Sequence, residues 1–222
     1  MVIGAPPKSY KSFIALNIAY DLAEGRDLFG LWKVPEPLSV LLIEQEIGKH
    51  RLKERLAAIH SYRLGQVAPF NLYLASKDLL VNLHTAAGIA KIKAHLTDSK
   101  AQVLIIDPLR KFHRKAEDDS TQMVEIFGAL DGLQEEFDLS TIIVHHTAKR
   151  SEFRRAHEPE ALRGSGEIFA DVDTVVMIEQ PVAADKTILR LHFTLRSAQE
   201  PPPLMVKFNK DTMVFNQMES GK

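Results

Sequence analysis

The residues with the most chemistry in this chain lie near its start, in Ala5-Pro6-Pro7-Lys8-Ser9-Tyr10-Lys11-Ser12. A phosphate-binding loop reads G-x-x-x-x-G-K-[ST] between a strand and a helix. Ala5 takes the first position of that pattern, with Gly4 just before it, and Lys11 and Ser12 take the last two. Such a loop surrounds phosphates with backbone N–H groups, sets a lysine on the β/γ oxygens and offers a hydroxyl to Mg²⁺. The helix that follows adds the partial positive charge of its N-terminus. Pro6 and Pro7 have no N–H, but Lys8, Ser9, Tyr10, Lys11, Ser12 and Phe13 can all donate. Tyr10 stands where the second glycine would be. If the backbone needs a positive φ there, a side chain costs about 1–2 kcal/mol. The competing reading is a basic turn that only caps a helix.

Carboxylates and imidazoles that could face such a loop end three apolar runs. Asp107 closes Val103–Ile106. At the carboxyl end of a buried parallel strand it can hold Mg²⁺ through water. Glu44 and Glu46 end Val40–Ile43. If the strand persists they share one face, and one of them can polarise the water that attacks a terminal phosphate. His145 and His146 end Ile142–Val144. No third metal ligand is spaced to help them. Sensing a phosphate oxygen through an imidazole N–H is the better role, against plain packing.

These residues need a scaffold that brings strand ends together. A strand remnant at Val2-Ile3 precedes the loop, and helical apolar spacing predicts a helix from about Lys11 to Ala23, ended by Gly25. Ser39–Ile43, Val103–Asp107 and Ser140–Val144 are continuous apolar runs, the mark of strands buried on both faces. Phe70–Ala75 reads as a further strand, and 48–63, His84–Leu96 and Thr121–Phe137 as helices. This alternation predicts an α/β fold with a mainly parallel sheet and crossover helices. After 145 the rhythm changes to consecutive strands at 173–178, 187–194, 203–208 and 212–216, which predicts an antiparallel extension at the sheet edge.

Together the segments resemble the RecA-like ATPases, and most closely the hexameric replicative helicases of plasmids, within the AAA-type ATPase domains. The best stretches are IIDPLRKFH, EDDS, ALDGLQEEF, IIVHHTAK and LRGSG, and the likeness covers nearly the whole chain. It implies a RecA-like domain over 1–216 followed by a polar tail, 217–222. It also implies that Lys11, Ser12 and Asp107 bind MgATP, that Glu46 rather than Glu44 is the catalytic glutamate, and that His146 senses the γ-phosphate. Tyr10 departs from the family's glycine and puts nucleotide affinity in question. Relatives carry more chain before the first strand, whereas three residues precede Gly4 here. The resemblance therefore implies a shortened start or a sheet lacking part of an edge.

In RecA-like motors the loops after these strands line a channel for single-stranded DNA. Arg110, Lys111, His113, Arg114 and Lys115 follow Asp107 within 110–115. Lys149, Arg150, Arg154, Arg155 and Arg163 outnumber Glu152, Glu158 and Glu160 in 148–163. Such segments can track a phosphate backbone, with Phe112 and Phe153 as the candidates for base stacking. A solvated loop is the ordinary alternative. Arg163 and Arg196 are candidates for an arginine finger reaching a neighbour's γ-phosphate, which implies a head-to-tail ring, a hexamer by resemblance, or a filament.

The chain's 222 residues carry 28 Lys plus Arg against 29 Asp plus Glu, a formal net charge of −1. That excludes a globally basic nucleic-acid coat but not a local patch. With no cysteine there are no disulfides and no thiolate metal site. No apolar run approaches the roughly 20 residues that span a bilayer, and no secretory leader is recognisable, so the expectation is a cytoplasmic protein without a membrane partner. The expected activity is ATP hydrolysis by a helicase motor in plasmid, phage or mobile-element replication. A recombinase or repair ATPase on DNA, and a weakly hydrolysing nucleotide sensor, are the alternatives.

Overall fold

The computed structural model describes residues 1–63, 71–113, 120–147 and 172–218. In chain order the described elements are β1 (Val2–Ala5), α1 (Lys11–Glu24), β2 (Val40–Glu44), α2 (Lys49–Tyr62), β3 (Leu72–Ala75), α3 (Ala86–Ser99), β4 (Val103–Asp107), α4 (Ser120–Phe137) and β5 (Ser140–His146). β6 (Thr174–Glu179), β7 (Ile188–Leu195), β8 (Leu204–Phe208) and β9 (Phe215–Gln217) follow. They form one sheet in the order β3-β2-β4-β5-β1-β6-β7-β8-β9.

The pairs from β3 through β6 are all parallel. The composition of the strands explains this. β1, β2 and β4 are buried at every residue, so they need helices on both faces, and only crossover connections supply them. α1 and α2 cover one face, with Ile14, Ile18 and Ile59 packed beside Ile3, Leu42 and Val144. α3 and α4 cover the other, with Ile92, Leu96, Ile126 and Leu130 beside Leu41, Leu104 and Ile143. β7, β8 and β9 then add as antiparallel strands, as their consecutive order predicted, whereas β6, the first of the four expected in that extension, pairs parallel with β1. β7 alternates buried and partly exposed residues, as suits a sheet margin.

Boundaries shift by a few residues from the sequence reading. β1 extends through Ala5, and it sits inside the sheet between β5 and β6. Gly25 ends the first helix as expected, with φ 69° and its N–H on the carbonyl of Leu22. β9 starts at Phe215 because 209–213 form a turn, in which the Asn209 side chain accepts from the N–H groups of Asp211 and Thr212. Gln217 pairs with Val206, so ordered strand runs one residue into the expected polar tail. Among the described residues no helix is long and apolar enough to cross a membrane.

Candidate nucleotide-binding site

The strand–loop–helix unit is built as a phosphate loop requires. β1 ends at Ala5 and α1 begins at Lys11. Tyr10 is the residue before the helix, with φ 63° and ψ 14°, and its carbonyl accepts from Phe13 and Ile14, both at 3.0 Å. The position therefore does need a left-handed residue, and a tyrosine there carries a cost of about 1–2 kcal/mol. Lys8 is also left-handed, with φ 63°. The Ser9 hydroxyl, itself buried, donates to the Pro6 carbonyl. Lys11 is 6 % exposed, and its ammonium donates to the carbonyls of Ala5 at 2.9 Å and Pro6 at 2.7 Å. Burial lowers the Lys11 pKa to about 8, against the opposing pull of Asp107 and then Glu46. The loop so holds its lysine folded over its own carbonyls, in reach of an anion placed in the loop.

Asp107 ends β4 opposite Glu44 and is 1 % exposed. Burial raises its pKa to about 6, while the Ser12 hydroxyl donates to its carboxylate and lowers it; Glu46 then raises it, and Lys11 and Arg55 lower it. Its Oδ1 is buried and finds no hydrogen-bond partner among the described residues. A buried carboxylate oxygen with no donor, beside a serine hydroxyl at the foot of a phosphate loop, suits a hard divalent cation. Mg²⁺ commonly binds through one or two protein oxygens and completes its shell with substrate phosphates and water. Ser12 and Asp107 fit that donor set.

The two glutamates are not equivalent. The strand does not persist to residue 46, as the shared-face reading required; it ends at Glu44. Glu44 is 2 % exposed and accepts from the N–H groups of Glu46 at 2.9 Å and Ile47 at 2.7 Å. Those bonds turn the chain off the sheet, so Glu44 shapes the corner. Burial pushes its carboxyl up to about 7, opposed first by the Ile47 N–H. Glu46 is exposed, and its charge is felt at both Lys11 and Asp107.

β5 brings the histidines to the same edge. His146 pairs with Ala5 and His145 with Gly4, and the Thr147 N–H donates to the Ala5 carbonyl at 3.2 Å. The exit of β5 is thus fastened to the start of the phosphate loop. His146 is half-buried, on the sheet face of Val144 and α1; His145, 1 % exposed, points to the other face.

Arg196 lies elsewhere. It follows Leu195, which pairs with Thr174 at the start of β6, and its guanidinium is 3.3 Å from Asp173. Because β6 runs parallel to β1, this is the amino edge of the sheet. The phosphate loop occupies the carboxyl edge, a strand length away, about 15 Å at roughly 3.3 Å per residue. Arg163 and the whole of 148–163 fall outside the described residues, as do Arg114 and Lys115. Of the basic cluster after Asp107, Arg110 and Lys111 are exposed, whereas His113 is buried and is not open to a phosphate backbone. Phe112 is 0 % exposed and belongs to the core, so it is not available for base stacking. A short 3-10 turn over Leu109–Lys111 explains the split, turning Leu109 and Phe112 inward and the two cations out.

Two residues at the site escaped the sequence reading. The Arg55 guanidinium on α2 lies 4.2 Å from the centre of the Phe13 ring. It is half-buried, and burial lowers its pKa against the pull of Glu44, Asp107 and Glu46. In the sequence it is one cation in a charged helix that reads as solvated. Phe208, from β8, packs its ring 4.6 Å from that of Tyr10. Nothing in the sequence couples positions so far apart.

A phosphate loop ahead of α1, facing a carboxylate at the end of a parallel strand, defines a RecA-like P-loop ATPase domain. The chain matches the AAA domain family over residues 1–152 and belongs to it. A DnaB-like replicative helicase, solved in a study of its interactions with primase, has the same fold, with a TM-score of 0.74 over 98 % of this chain at 19 % sequence identity. The chain spans 57 % of that protein's length.

Proposed function

We propose that this domain binds MgATP at the Lys11–Ser12–Asp107 edge, hydrolyses it, and drives a ring-forming DNA helicase of plasmid, phage or mobile-element replication in the cytoplasm. The observation that carries the ATPase reading is the meeting of Lys11, Ser12 and Asp107 at one strand edge, with the charge of Glu46 felt at the same place. In this reading Lys11 exchanges the carbonyls of Ala5 and Pro6 for phosphate oxygens. The amides from Lys8 to Phe13 donate to the phosphates. Ser12 and Asp107 would hold Mg²⁺, which neutralises charge on the β- and γ-phosphates. Glu46 orients a water and accepts its proton as the water oxygen bonds to the γ-phosphorus. The bond to the bridging oxygen breaks, leaving ADP and phosphate. His146, beside Ala5, reads the presence of the γ-phosphate and relays it along the exit of β5.

The position of Arg196 supports a head-to-tail assembly. It stands at the edge opposite its own phosphate loop, so a role at a γ-phosphate requires a neighbouring copy, and a heterologous contact repeated with closure makes a ring. Arg196→Ala is expected to cut hydrolysis by about 10³-fold or more. Mixing it with Lys11→Ala subunits should restore activity, because some interfaces then join an intact loop to an intact arginine. Steady-state rates across mixing ratios test this, and no recovery at any ratio removes the trans role.

DNA is proposed as the partner through 110–115 and 148–163. ATPase rate against single-strand concentration, at two salt levels, is expected to show stimulation that His146→Ala abolishes while nucleotide affinity stays within a fewfold. A wild type that hydrolyses ATP with no response to DNA favours the nucleotide-sensing reading, for which the strained Tyr10 is the supporting observation.

A further inference from the structure

Four aromatic rings form one cluster behind the phosphate loop, and Phe208 is its hub. Its ring centre lies 4.6 Å from that of Tyr10, 4.7 Å from Phe13 and 5.0 Å from Phe215. Phe208 is 5 % exposed and is the last residue of β8. The turn that follows is tied to α1 by a second link. The Asn17 side-chain amide donates to the carbonyl of Met213 at 3.0 Å and to that of Phe13 at 2.8 Å. The β8–β9 hairpin therefore grips the first turns of α1 through a ring contact and a bridging amide.

Tyr10 is where that grip matters. Its backbone is left-handed, a conformation that an L side chain disfavours. Left alone, the residue would relax toward negative φ. That would swing the Tyr10 carbonyl off Phe13 and Ile14 and turn the N–H groups of the loop out of register. The ring contact with Phe208 opposes the relaxation, since the side chain cannot follow the backbone without leaving the cluster. A glycine here would need no such restraint.

We infer that Phe208 is a positioning residue for the phosphate loop: by holding the Tyr10 ring it holds the Tyr10 backbone in the left-handed conformation that aims the loop amides. The β8–β9 hairpin then sets nucleotide affinity without touching nucleotide. This inference rests on the ATP-binding reading above.

The test is a double-mutant cycle on the full chain, with affinity for a fluorescent ATP analogue and thermal melting measured side by side. Phe208→Leu keeps most of the volume and removes the ring. In the Tyr10 background it should weaken binding by about tenfold, equivalent to about 1.4 kcal/mol. In the Tyr10→Gly background, where the loop needs no restraint, the same substitution should cost less than about threefold, well short of the additive expectation for independent sites. Melting temperature should fall in both backgrounds through the lost Phe13 and Phe215 contacts, and by somewhat less in Tyr10→Gly, where the Tyr10 ring contact is already gone. Equal affinity losses in the two backgrounds, or none in either, overturn the assignment and leave ATP binding standing. A folded wild type that binds no nucleotide removes the ATP-binding reading, and this inference with it.

Discussion

Glu46→Gln is expected to leave ATP bound while hydrolysis collapses by roughly 10²–10⁴-fold, the usual contribution of a positioned general base. The amide keeps the size and hydrogen-bonding reach of the carboxylate but cannot accept the water's proton. Binding should survive because Glu46 is exposed and holds no part of the loop. Glu44→Gln supplies the control and should fail differently. Its carboxylate accepts from two backbone N–H groups at 2.9 and 2.7 Å. A glutamine presents an NH₂ to one of them and leaves a buried donor unpaired, at about 1–3 kcal/mol of stability. Single-turnover hydrolysis, nucleotide affinity and melting temperature separate the two outcomes. If Glu44→Gln abolishes the chemistry at unchanged stability and Glu46→Gln does not, the catalytic role belongs to Glu44.

Lys11→Ala should weaken ATP binding or hydrolysis by at least about tenfold, about 1.4 kcal/mol. The ammonium is a buried cation at the loop, and its removal leaves the phosphate charge to the loop amides and the metal. The carbonyls of Ala5 and Pro6 each lose one of two donors, keeping the Thr147 N–H and the Ser9 hydroxyl, so the empty loop changes too. Lys11→Arg is a useful companion, since a planar guanidinium in a site shaped for a compact ammonium is not a conservative exchange. Titration of labelled nucleotide, with folding followed by circular dichroism, reads the effect. Unchanged affinity in Lys11→Ala would remove the phosphate-loop reading.

Much of this was legible along the chain because it is local. Lys11 and Ser12 sit at the helix start that their loop pattern demands, and Asp107 at a strand end announced by Val103–Ile106. Apolar runs marked the strands buried on both faces, and the change of rhythm after 145 marked the antiparallel margin. The resemblance singled out Glu46 over Glu44, and the sharp corner at Glu44 provides the physical reason for a difference. That corner was not legible, because it depends on a buried carboxylate capturing two N–H groups rather than on residue types.

What the sequence by itself determined is the set of groups and the kind of scaffold. A lysine-serine loop, an aspartate after a buried strand and a helix–strand alternation admit few other folds. Only the tertiary structure decided which groups meet. The order of strands across the sheet brings β5 beside β1 and so places His146 at Ala5. The reversal of β7 carries Arg196 to the far edge from its own loop. The inward turn at 109–112 makes Phe112 core instead of a stacking platform. The same sheet order lets a ring on β8 reach Tyr10. These are contacts between residues distant in the chain, set by hydrogen-bond pairing and core packing over the whole sheet, and no local pattern encodes them.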